Sequence, residues 1–313
     1  MNQADKVLLE LEASGERFLP EMQGTIALEH LHRYAMAQHF AAGKVVLDIA
    51  SGECYGSAVL AGVAARVYGV DIAPDAVAYA KAKYQRPNLD FLTGRCANIP
   101  LANGTVDLVV SFETIEHHTE HGEMFAEIKR VLRPGGMMIM SSPDKLEYTD
   151  RANHANAFHV KELYAEEFQL LVKRYFTHVA ILGQRVLYAS AILASDRPGA
   201  SIHYHREPDG TIHSANGLLR PCYQVAVASD DALPSLAGSV FEDIGESDPE
   251  IKVLRHQLDY AQQQIAGFEA EVAGLKRAIN SILSSHSWHA TRPLRAIGIL
   301  LRAITGKQTE SKP

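Results

Sequence analysis

The segment from Lys44 to Gly56 constrains the fold of this chain more than any other. An apolar run ends in Asp48, a turn of small residues follows, and a helix-like stretch extends from Ser57 to Ala65. This order predicts a buried parallel strand, a loop and the N-terminus of a helix. Backbone N–H groups in such a loop can approach a nucleotide-like ligand closely.

The next hundred residues continue the alternation of strands and helices. Strands are predicted at 44–49, 66–71, 89–93, 106–111 and 137–142, and helices at 56–65, 75–84 and 120–132. A helix at 161–173, a strand at 176–183, a hairpin at 202–213 and a final strand at 222–228 complete the pattern. Strands that alternate with helices predict an α/β fold with a doubly wound, parallel sheet.

Composition excludes several classes of protein. The formal net charge of −7 argues against nucleic acid as a partner, because nucleic acid binding needs a basic face. The three cysteines, Cys54, Cys96 and Cys222, are widely spaced, which suits free thiols in a reducing compartment. Residues 1–5 lack the basic start and apolar core of a signal peptide, and no run approaches the ~20 apolar residues of a membrane span. We therefore expect a cytoplasmic protein.

A heptad repeat occupies residues 251–282. Its a positions are Ile251, Leu258, Ile265, Val272 and Ile279, and its d positions are Leu254, Ala261, Phe268, Leu275 and Ile282. Mostly β-branched a positions favour a parallel homodimer, with a trimer as the alternative. A single amphipathic helix packed on its own domain would also show an apolar stripe, but it rarely keeps a 3.5-residue period for so long.

The segment 287–304 is basic and amphipathic. Arg292, Arg295 and Arg302 accompany an apolar side formed by residues such as Trp288 and Ile297. Such a segment can lie in the interface of an anionic membrane leaflet, and it can equally dock on a partner protein. Membrane binding through this segment would place the cytoplasmic protein on the inner face of the membrane as a peripheral protein.

These patterns divide the chain into five parts. A helical cap spans 1–40, a sheet domain 41–230, an acidic linker 231–248, a coiled coil 249–284 and a basic amphipathic tail 285–313.

Four motifs in order carry a resemblance to a known family. They are Val46–Gly52, Val70–Ile72, Asp107–His117 and Arg130–Gly136. This set is similar to the motifs of class I S-adenosylmethionine-dependent methyltransferases, over roughly residues 40–185. The resemblance implies a Rossmann-like, mostly parallel seven-stranded sheet and S-adenosylmethionine as the cofactor.

The cofactor site follows from the motifs. The loop from Ala50 to Gly56 can donate N–H groups to the amino-acid tail of the cofactor, and Asp71 at a strand end can accept both ribose hydroxyls. By resemblance, Ile72, Cys96 and Ala97 would line the adenine and Phe112 the methionine end. The full set of expected cofactor residues is Asp48, Ala50, Ser51, Gly52, Gly56, Asp71, Ile72, Cys96, Ala97 and Phe112.

This sequence departs from the family pattern at three positions. Ala50 and Cys54 replace glycines, and Arg95 stands where an acidic residue often follows the third strand. Ala50 is expected to need only a β-compatible backbone, whereas Cys54 would be strained at a positive φ.

Catalytic candidates follow the fourth strand. Methyl transfer to a hydroxyl benefits from a general base, and histidine has a suitable pKa. His117 is the first candidate because acidic neighbours can orient it, and His118 and Glu113 complete the catalytic set. His154 and His159 follow the fifth strand as further histidines near the same edge.

No metal is assigned from the sequence. Glu113, Glu116, His117 and Asp144 form an alternative metal set, as in some sugar methyltransferases, but their spacing is not specific.

The flanks carry a narrower resemblance. Gly15–Pro20, Glu29–Tyr34, Phe158–Leu163 and Ser287–Arg295 are similar to segments of methyltransferases and other glycan-modifying enzymes from bacterial surface-polysaccharide gene clusters. This likeness implies O-methylation of a sugar hydroxyl on an O-antigen, a capsule glycan or a precursor. Two alternatives stay open. One is a methyltransferase for another small acceptor, such as a quinone, lipid or amine, and the other is a non-catalytic dimeric scaffold.

Overall fold

The computed structural model describes residues 24–153, 155–187, 202–206, 211–242 and 249–304. The chain forms two compact units, Met1–Gly245 and Glu246–Pro313. The segment Gly15–Pro20 and His154, both singled out in the sequence, lie outside the described residues.

The first unit is built on a seven-stranded sheet. Its strands are β1 (Val45–Ile49), β2 (Arg66–Asp71), β3 (Leu89–Thr93), β4 (Val106–Ser111), β5 (Leu132–Pro143), β6 (His178–Gln184) and β9 (Tyr223–Ser229), and a separate hairpin contains β7 (Ile202–Arg206) and β8 (Ile212–Asn216). The order in the sheet is β3-β2-β1-β4-β5-β9-β6. Only β9 runs antiparallel to its neighbours in this sheet. The predicted mostly parallel, seven-stranded sheet is confirmed.

Helices cover both faces of the sheet. They are α1 (Thr25–Ala41), α2 (Tyr55–Leu60), α3 (Pro74–Lys83), α4 (His121–Val131) and α5 (Ala165–Tyr175). A 3₁₀ turn (Ile115–His117) follows β4, and a π-helical turn (Leu146–Asp150) follows β5. One apolar core lies on the side of α1, α2 and α3, and the other on the side of α4 and α5. Burial on both faces explains why the strands read as continuous apolar runs.

Three helices differ from the sequence expectation. α2 ends at Leu60 rather than at 65. The chain turns there through Gly62, whose N–H donates a hydrogen bond to the Val59 carbonyl. α5 begins at Ala165 rather than 161, where Glu167 accepts the backbone N–H of Tyr164. α1 extends to Ala41, one residue beyond the helical cap predicted for 1–40, and its buried residues are Arg33, Tyr34, Ala37 and Ala41, whereas Ile26 is exposed.

The predicted hairpin is present, with strands Ile202–Arg206 and Ile212–Asn216 in antiparallel register. Its Asp-Gly turn lies outside the described residues. The linker forms no helix or strand from residue 231 to 242, and 243–248 lie outside the described part as well.

The second unit is helical, with α6 (Pro249–Ser284), α7 (His286–Ala290) and α8 (Arg292–Ile304). Eight heptad residues of α6 are exposed among its described side chains, namely Leu258, Ala261, Ile265, Phe268, Val272, Leu275, Ile279 and Ile282. At the corner between α7 and α8, the guanidinium of Arg295 stacks 3.6 Å from the ring centroid of Trp288. No helix in the described ranges is long and apolar enough to span a bilayer.

Candidate functional site

The motif residues converge at the carboxyl edge of the parallel strands. β2, β1 and β4 are adjacent in the sheet, so the segments that follow them share one edge. Ala50 follows β1, Asp71 ends β2, and Phe112 and Glu113 follow β4. In open α/β sheets, ligands bind at this edge beside the point where the strand order reverses, which here is between β1 and β4.

The loop after β1 is wound in an unusual backbone conformation. Ala50, Gly52 and Cys54 have φ values of 58°, 58° and 68°, which are left-handed. The expectation that Ala50 needs only a β-compatible backbone is therefore wrong, whereas Cys54 does occupy the positive φ that raised concern. A left-handed residue with a Cβ costs about 1–2 kcal/mol. The strain of two such residues is offset within the loop, where Ser51 N–H donates to Val70 O at 3.0 Å and Ser51 Oγ lies 3.1 Å from Cys54 Sγ.

Asp71 is fixed against this loop. One carboxylate oxygen accepts the N–H of Gly52 at 2.8 Å, and the other accepts the N–H of Ala73 at 2.9 Å. The two bonds set the plane of the carboxylate at the end of β2. The next residue, Ile72, is 59% exposed, so it offers an apolar surface beside the carboxylate.

Asp48 lies beneath the loop rather than at its surface. Its carboxylate accepts the hydroxyl of Ser57 at 2.6 Å and the hydroxyl of Tyr34 at 3.1 Å. Burial raises the pKa of Asp48 to about 7. These contacts tie β1 to α2 and to α1. Gly56 permits the approach of α1, because a Cβ at this position would lie 1.9 Å from the Tyr34 ring.

The residues expected beside the adenine lie in the turn after β3. Arg95 and Asn98 form an isolated bridge that places Cys96 and Ala97 between them. Burial, followed by the nearby charge of Asp71, raises the pKa of the Cys96 thiol to about 12. The thiol is therefore neutral and offers a polarizable, apolar surface. Arg95 pairs with Glu120 at 2.8 Å.

Glu113 is held in a strained position after β4. Its φ is 48°, its backbone N–H donates to Ser141 Oγ at 2.9 Å, and its carboxylate accepts the same hydroxyl at 2.7 Å. An ion pair of 3.2 Å joins it to Arg33. Strain of this kind collects at functional sites. Phe112 beside it is buried and packs edge-on against Tyr34.

Arg33 was not among the predicted site residues. It is 2% exposed, its Nε donates to Gln184 Oε1 at 2.6 Å, and its guanidinium lies 4.4 Å from the Tyr223 ring centroid. Within the described part of the chain, neither terminal guanidinium nitrogen has a partner in hydrogen-bond geometry, and Nη1 makes only the 3.2 Å ion pair with Glu113. Burial raises the pKa of nearby Glu29 to about 7. The sequence signal for this cluster was the segment Glu29–Tyr34, which carries the narrower resemblance and contains both Arg33 and Glu29.

The histidines after β4 are positioned by backbone carbonyls. His117 Nδ1 lies 3.1 Å from the carbonyl of Phe158, and its Nε2 lies 3.9 Å from Glu116 Oε1. His118 is stacked edge-on against His121. The ring of His121 bridges the carbonyls of Ile115 and His118, both at 2.8 Å, which stabilises the 3₁₀ turn. Burial lowers the pKa of His118, so its ring is neutral near pH 7.

Glu116 is a buried acid beside His117. Burial, and then the charge of Glu113, raise the pKa of Glu116 well above its ordinary value. His159 contacts the His117 ring edge-on, with ring centroids 5.1 Å apart. Ligand atoms of Glu116, His117 and His159 all lie within 4.8 Å of one another.

Asp144, from the alternative metal set, does not join this group. Its carboxylate accepts the backbone N–H groups of Leu146 and Ala165, both at 3.2 Å, so it caps local structure instead.

Comparisons with known proteins agree with this geometry. Residues 47–140 match a family model described as a methyltransferase domain. A probable S-adenosylmethionine-dependent methyltransferase of Mycolicibacterium smegmatis is 36% identical over 166 residues, covering 52% of this chain and 64% of that protein. A probable S-adenosylmethionine-dependent methyltransferase of Mycobacterium tuberculosis is 32% identical over 177 residues, covering 55% of this chain and 64% of that protein. The chain therefore spans less than two thirds of the length of these relatives.

Among solved structures, a methyltransferase of Thermotoga maritima described as a possible histamine N-methyltransferase has a TM-score of 0.46 and 14% identity, covering 64% of this chain and 89% of that chain. The family match and the curated relatives show that the first unit is similar to S-adenosylmethionine-dependent methyltransferases over the residues that they cover.

Proposed function

We propose that this protein transfers a methyl group from S-adenosylmethionine to a sugar hydroxyl of a bacterial surface glycan or its precursor. The observation that carries the proposal is the position of Asp71, whose carboxylate is fixed by Gly52 and Ala73 at the end of β2. A carboxylate at this place in a doubly wound sheet can accept the hydroxyls of a ribose.

The remaining cofactor roles follow from position. The loop residues Ala50, Ser51 and Gly52 would offer backbone groups to the amino-acid tail of the cofactor, at the edge where the strand order reverses. Ile72, Cys96 and Ala97 would contact the adenine, and Phe112 would border the methionine end. Asp48 and Gly56 would act indirectly, by supporting the loop through Ser57 and Tyr34.

The cluster around Arg33 supports a polyhydroxylated acceptor. Arg33 retains two buried guanidinium nitrogens without hydrogen-bond partners in the described residues, and Glu113 offers carboxylate oxygens beside them. Sugar hydroxyls both donate and accept hydrogen bonds, so a guanidinium and a carboxylate side by side can satisfy one hydroxyl. Tyr223 adds an aromatic ring next to this pair.

The reaction that we propose is an in-line displacement. The acceptor oxygen forms a bond to the methyl carbon while the carbon–sulfur bond breaks, and the sulfonium becomes a neutral thioether. The hydroxyl proton must leave to a base. The Phe158 carbonyl lies 3.1 Å from His117 Nδ1 and is placed to accept an N–H from it, so we assign Nε2 of His117 as the atom that accepts the hydroxyl proton. Glu113 and His118 would position the acceptor.

We further propose that the second unit assembles and localises the enzyme. The heptad residues of α6 would pair two chains, because a seam of this length buries its apolar side chains only against another helix. α8 carries Arg292, Arg295 and Arg302 and exposes Leu294 and Ile297. A basic, apolar helix of this kind suits the surface of an anionic membrane, where lipid-linked glycans are built.

The deciding experiment is calorimetric binding of S-adenosylmethionine to the wild type and to Asp71→Ala. We expect the variant to bind at least about 10-fold more weakly, because a charged hydrogen bond contributes about 1.5–3 kcal/mol. Asp75→Ala, an exposed carboxylate in the first turn of α3, is the matched control and should bind as the wild type does.

The acceptor is tested separately with a panel of lipid-linked and free glycans, a quinone and an amine, following transfer of labelled methyl groups. Methylation of glycans alone would support the sugar assignment. Cofactor binding with methylation of the quinone or amine alone would overturn it, and an absence of cofactor binding would favour the scaffold alternative.

A further inference from the structure

Two segments that are distant in sequence bring three metal-ligating side chains together. Glu116 and His117 belong to the 3₁₀ turn after β4, and His159 belongs to the segment that precedes α5. The backbone N–H groups of Val160 and Lys161 both donate to the backbone carbonyl of Glu116, at 2.8 and 2.9 Å, and so hold the two segments together.

Glu116 is the central observation. The residue is 1% exposed, and neither carboxylate oxygen has a hydrogen-bond partner in the described part of the chain. An ionised carboxylate buried without partners costs several kcal/mol, so buried carboxyl groups are either neutral, paired with a cation or coordinated to a metal. The nearest ring nitrogen is His117 Nε2, 3.9 Å from Glu116 Oε1.

The outer contacts of both histidines fit metal ligation. His117 Nδ1 lies 3.1 Å from the Phe158 carbonyl, and His159 Nδ1 lies 2.5 Å from Glu162 Oε1. In metal sites, a carbonyl or carboxylate of this kind accepts a hydrogen bond from the N–H of one ring nitrogen, which leaves the lone pair of the other nitrogen for the ion. His159 Nε2 now accepts Asn156 Nδ2 at 3.0 Å, and a cation would replace that amide.

The spacing is close to that of a loaded site. All three ligand atoms lie within 4.8 Å of one another. Donors about 2.0–2.2 Å from a zinc ion lie roughly 3–4 Å apart, so loading requires side-chain shifts of about 1 Å. Two imidazoles and one carboxylate suit zinc, iron or cobalt better than magnesium or calcium, which prefer oxygen ligands.

We propose that Glu116, His117 and His159 bind one divalent transition-metal ion and that this ion binds the acceptor hydroxyl. The proposal rests on the proposed function, because it assigns the ion to the acceptor side of the same edge of the sheet. With three protein ligands, the ion keeps an open position for the hydroxyl oxygen. A bound cation makes the hydroxyl more acidic, so its proton passes to water and the oxygen attacks the methyl carbon as described above. In this mechanism, a ring nitrogen of His117 coordinates the ion and no longer acts as the base that accepts the hydroxyl proton.

The test is titration of tag-free, metal-stripped protein with Co²⁺, followed by visible absorption, which reports low-symmetry coordination by nitrogen and oxygen. We expect one Co²⁺ per chain, displaced by Zn²⁺. Glu116→Gln and His159→Gln should each weaken binding at least about 100-fold, and Glu162→Ala, which removes an outer contact, should weaken it about 10-fold or more. The matched control is His39→Gln, an exposed histidine at the end of α1.

Circular dichroism and thermal unfolding of each variant separate ligand loss from misfolding. Weakened Co²⁺ binding in a variant that keeps the wild-type fold supports the site. Absence of stoichiometric Co²⁺ binding by the wild type, or unchanged binding by Glu116→Gln and His159→Gln, overturns it.

The failure of this proposal is distinguishable from failure of the proposed function. Glycan methylation by fully metal-stripped wild type at an unchanged rate overturns the role of the ion and leaves the proposed function standing. Stoichiometric Co²⁺ binding without methylation of any glycan supports the metal site and overturns the sugar assignment.

Discussion

At the scale of single residues, the loop after β1 combines strain with burial. Ala50 and Cys54 adopt left-handed φ values that glycine would adopt without penalty. Beneath them, Asp48 is buried with two hydroxyl donors, Tyr34 and Ser57. Both features cost stability, and both lie where Asp71 and the loop meet. The left-handed residues and the buried carboxylate therefore indicate that this loop is shaped for a ligand rather than for maximum stability.

A pH dependence of stability follows from Asp48. Burial raises its pKa from 3.8 to about 7, so the folded protein holds this proton more tightly than the unfolded chain does. The stabilisation is complete below pH 3.8 and is lost as the pH rises through about 7, at up to about 1.4 kcal/mol per pH unit. Denaturant unfolding of Asp48→Asn should lose this slope.

Asp90→Asn is the matched control for this measurement, because Asp90 forms an ion pair with Arg66 at the exposed side of β3. It should keep the slope of the wild type. An unchanged slope in Asp48→Asn would show that Asp48 does not titrate between pH 4 and 7.

At the scale of elements, the packing of α1 on α2 places the polar residues of α1 at the site. Tyr34 lies over Gly56 and against Phe112, and this contact brings the adjacent Arg33 to Glu113. The contact depends on a missing side chain, because a Cβ at Gly56 would overlap the Tyr34 ring.

Gly56→Ala should therefore destabilise the protein by about 2–3 kcal/mol or more through overpacking, and it should weaken cofactor binding. Gly122→Ala is a matched control. Gly122 is also the second residue of its helix, and its Cβ would meet only Tyr175 OH, at an ordinary 3.4 Å. Thermal unfolding should find the control within about 0.5 kcal/mol of the wild type. Equal stabilities for both variants would show that α1 can move away from α2.

The seam of α6 leads to a second prediction at this scale. Ile265 occupies an a position and is 56% exposed in the single chain. Ile265→Lys should shift the sedimentation equilibrium from dimer to monomer, because a charged a position disfavours the coiled coil. Ala266→Lys adds the same charge at the neighbouring b position and should stay dimeric. A wild type that is monomeric throughout would contradict the pairing.

At the scale of the whole molecule, the chain combines a unit that carries the candidate site with a separate helical unit. The net charge of −7 conceals a basic C-terminal segment with Arg292, Arg295 and Arg302. Two tails in a dimer would bind a membrane more tightly than one, because the second contact is intramolecular. If the heptad repeat pairs two chains and the tail binds a membrane, as we propose, the two features together would give avidity for that surface.

Vesicle co-sedimentation tests this arrangement. Ile297→Asp should reduce binding to anionic vesicles at least about 10-fold, because Ile297 lies within the apolar side of α8 and is 57% exposed. Ala296→Asp carries the same charge on the adjacent, more polar side and should bind more strongly than Ile297→Asp. Equal binding by the two variants would indicate attraction by charge alone, and the absence of wild-type binding would favour docking on a protein.

The sequence by itself determined the order of strands and helices, the position of the β1 loop and the acid at the end of β2. These features are local, because a buried strand or a turn is encoded within a few neighbouring residues. The tertiary structure alone decided that Ala50 is left-handed, that Asp48 is buried under Tyr34, and that Arg33 reaches Glu113.

The tertiary structure also decided that His159 lies beside Glu116 and His117, while Asp144 caps local structure. Contacts of this kind join residues that are far apart in the chain. They depend on how α1 and the segment after β5 dock on the sheet, and no local periodicity encodes that docking.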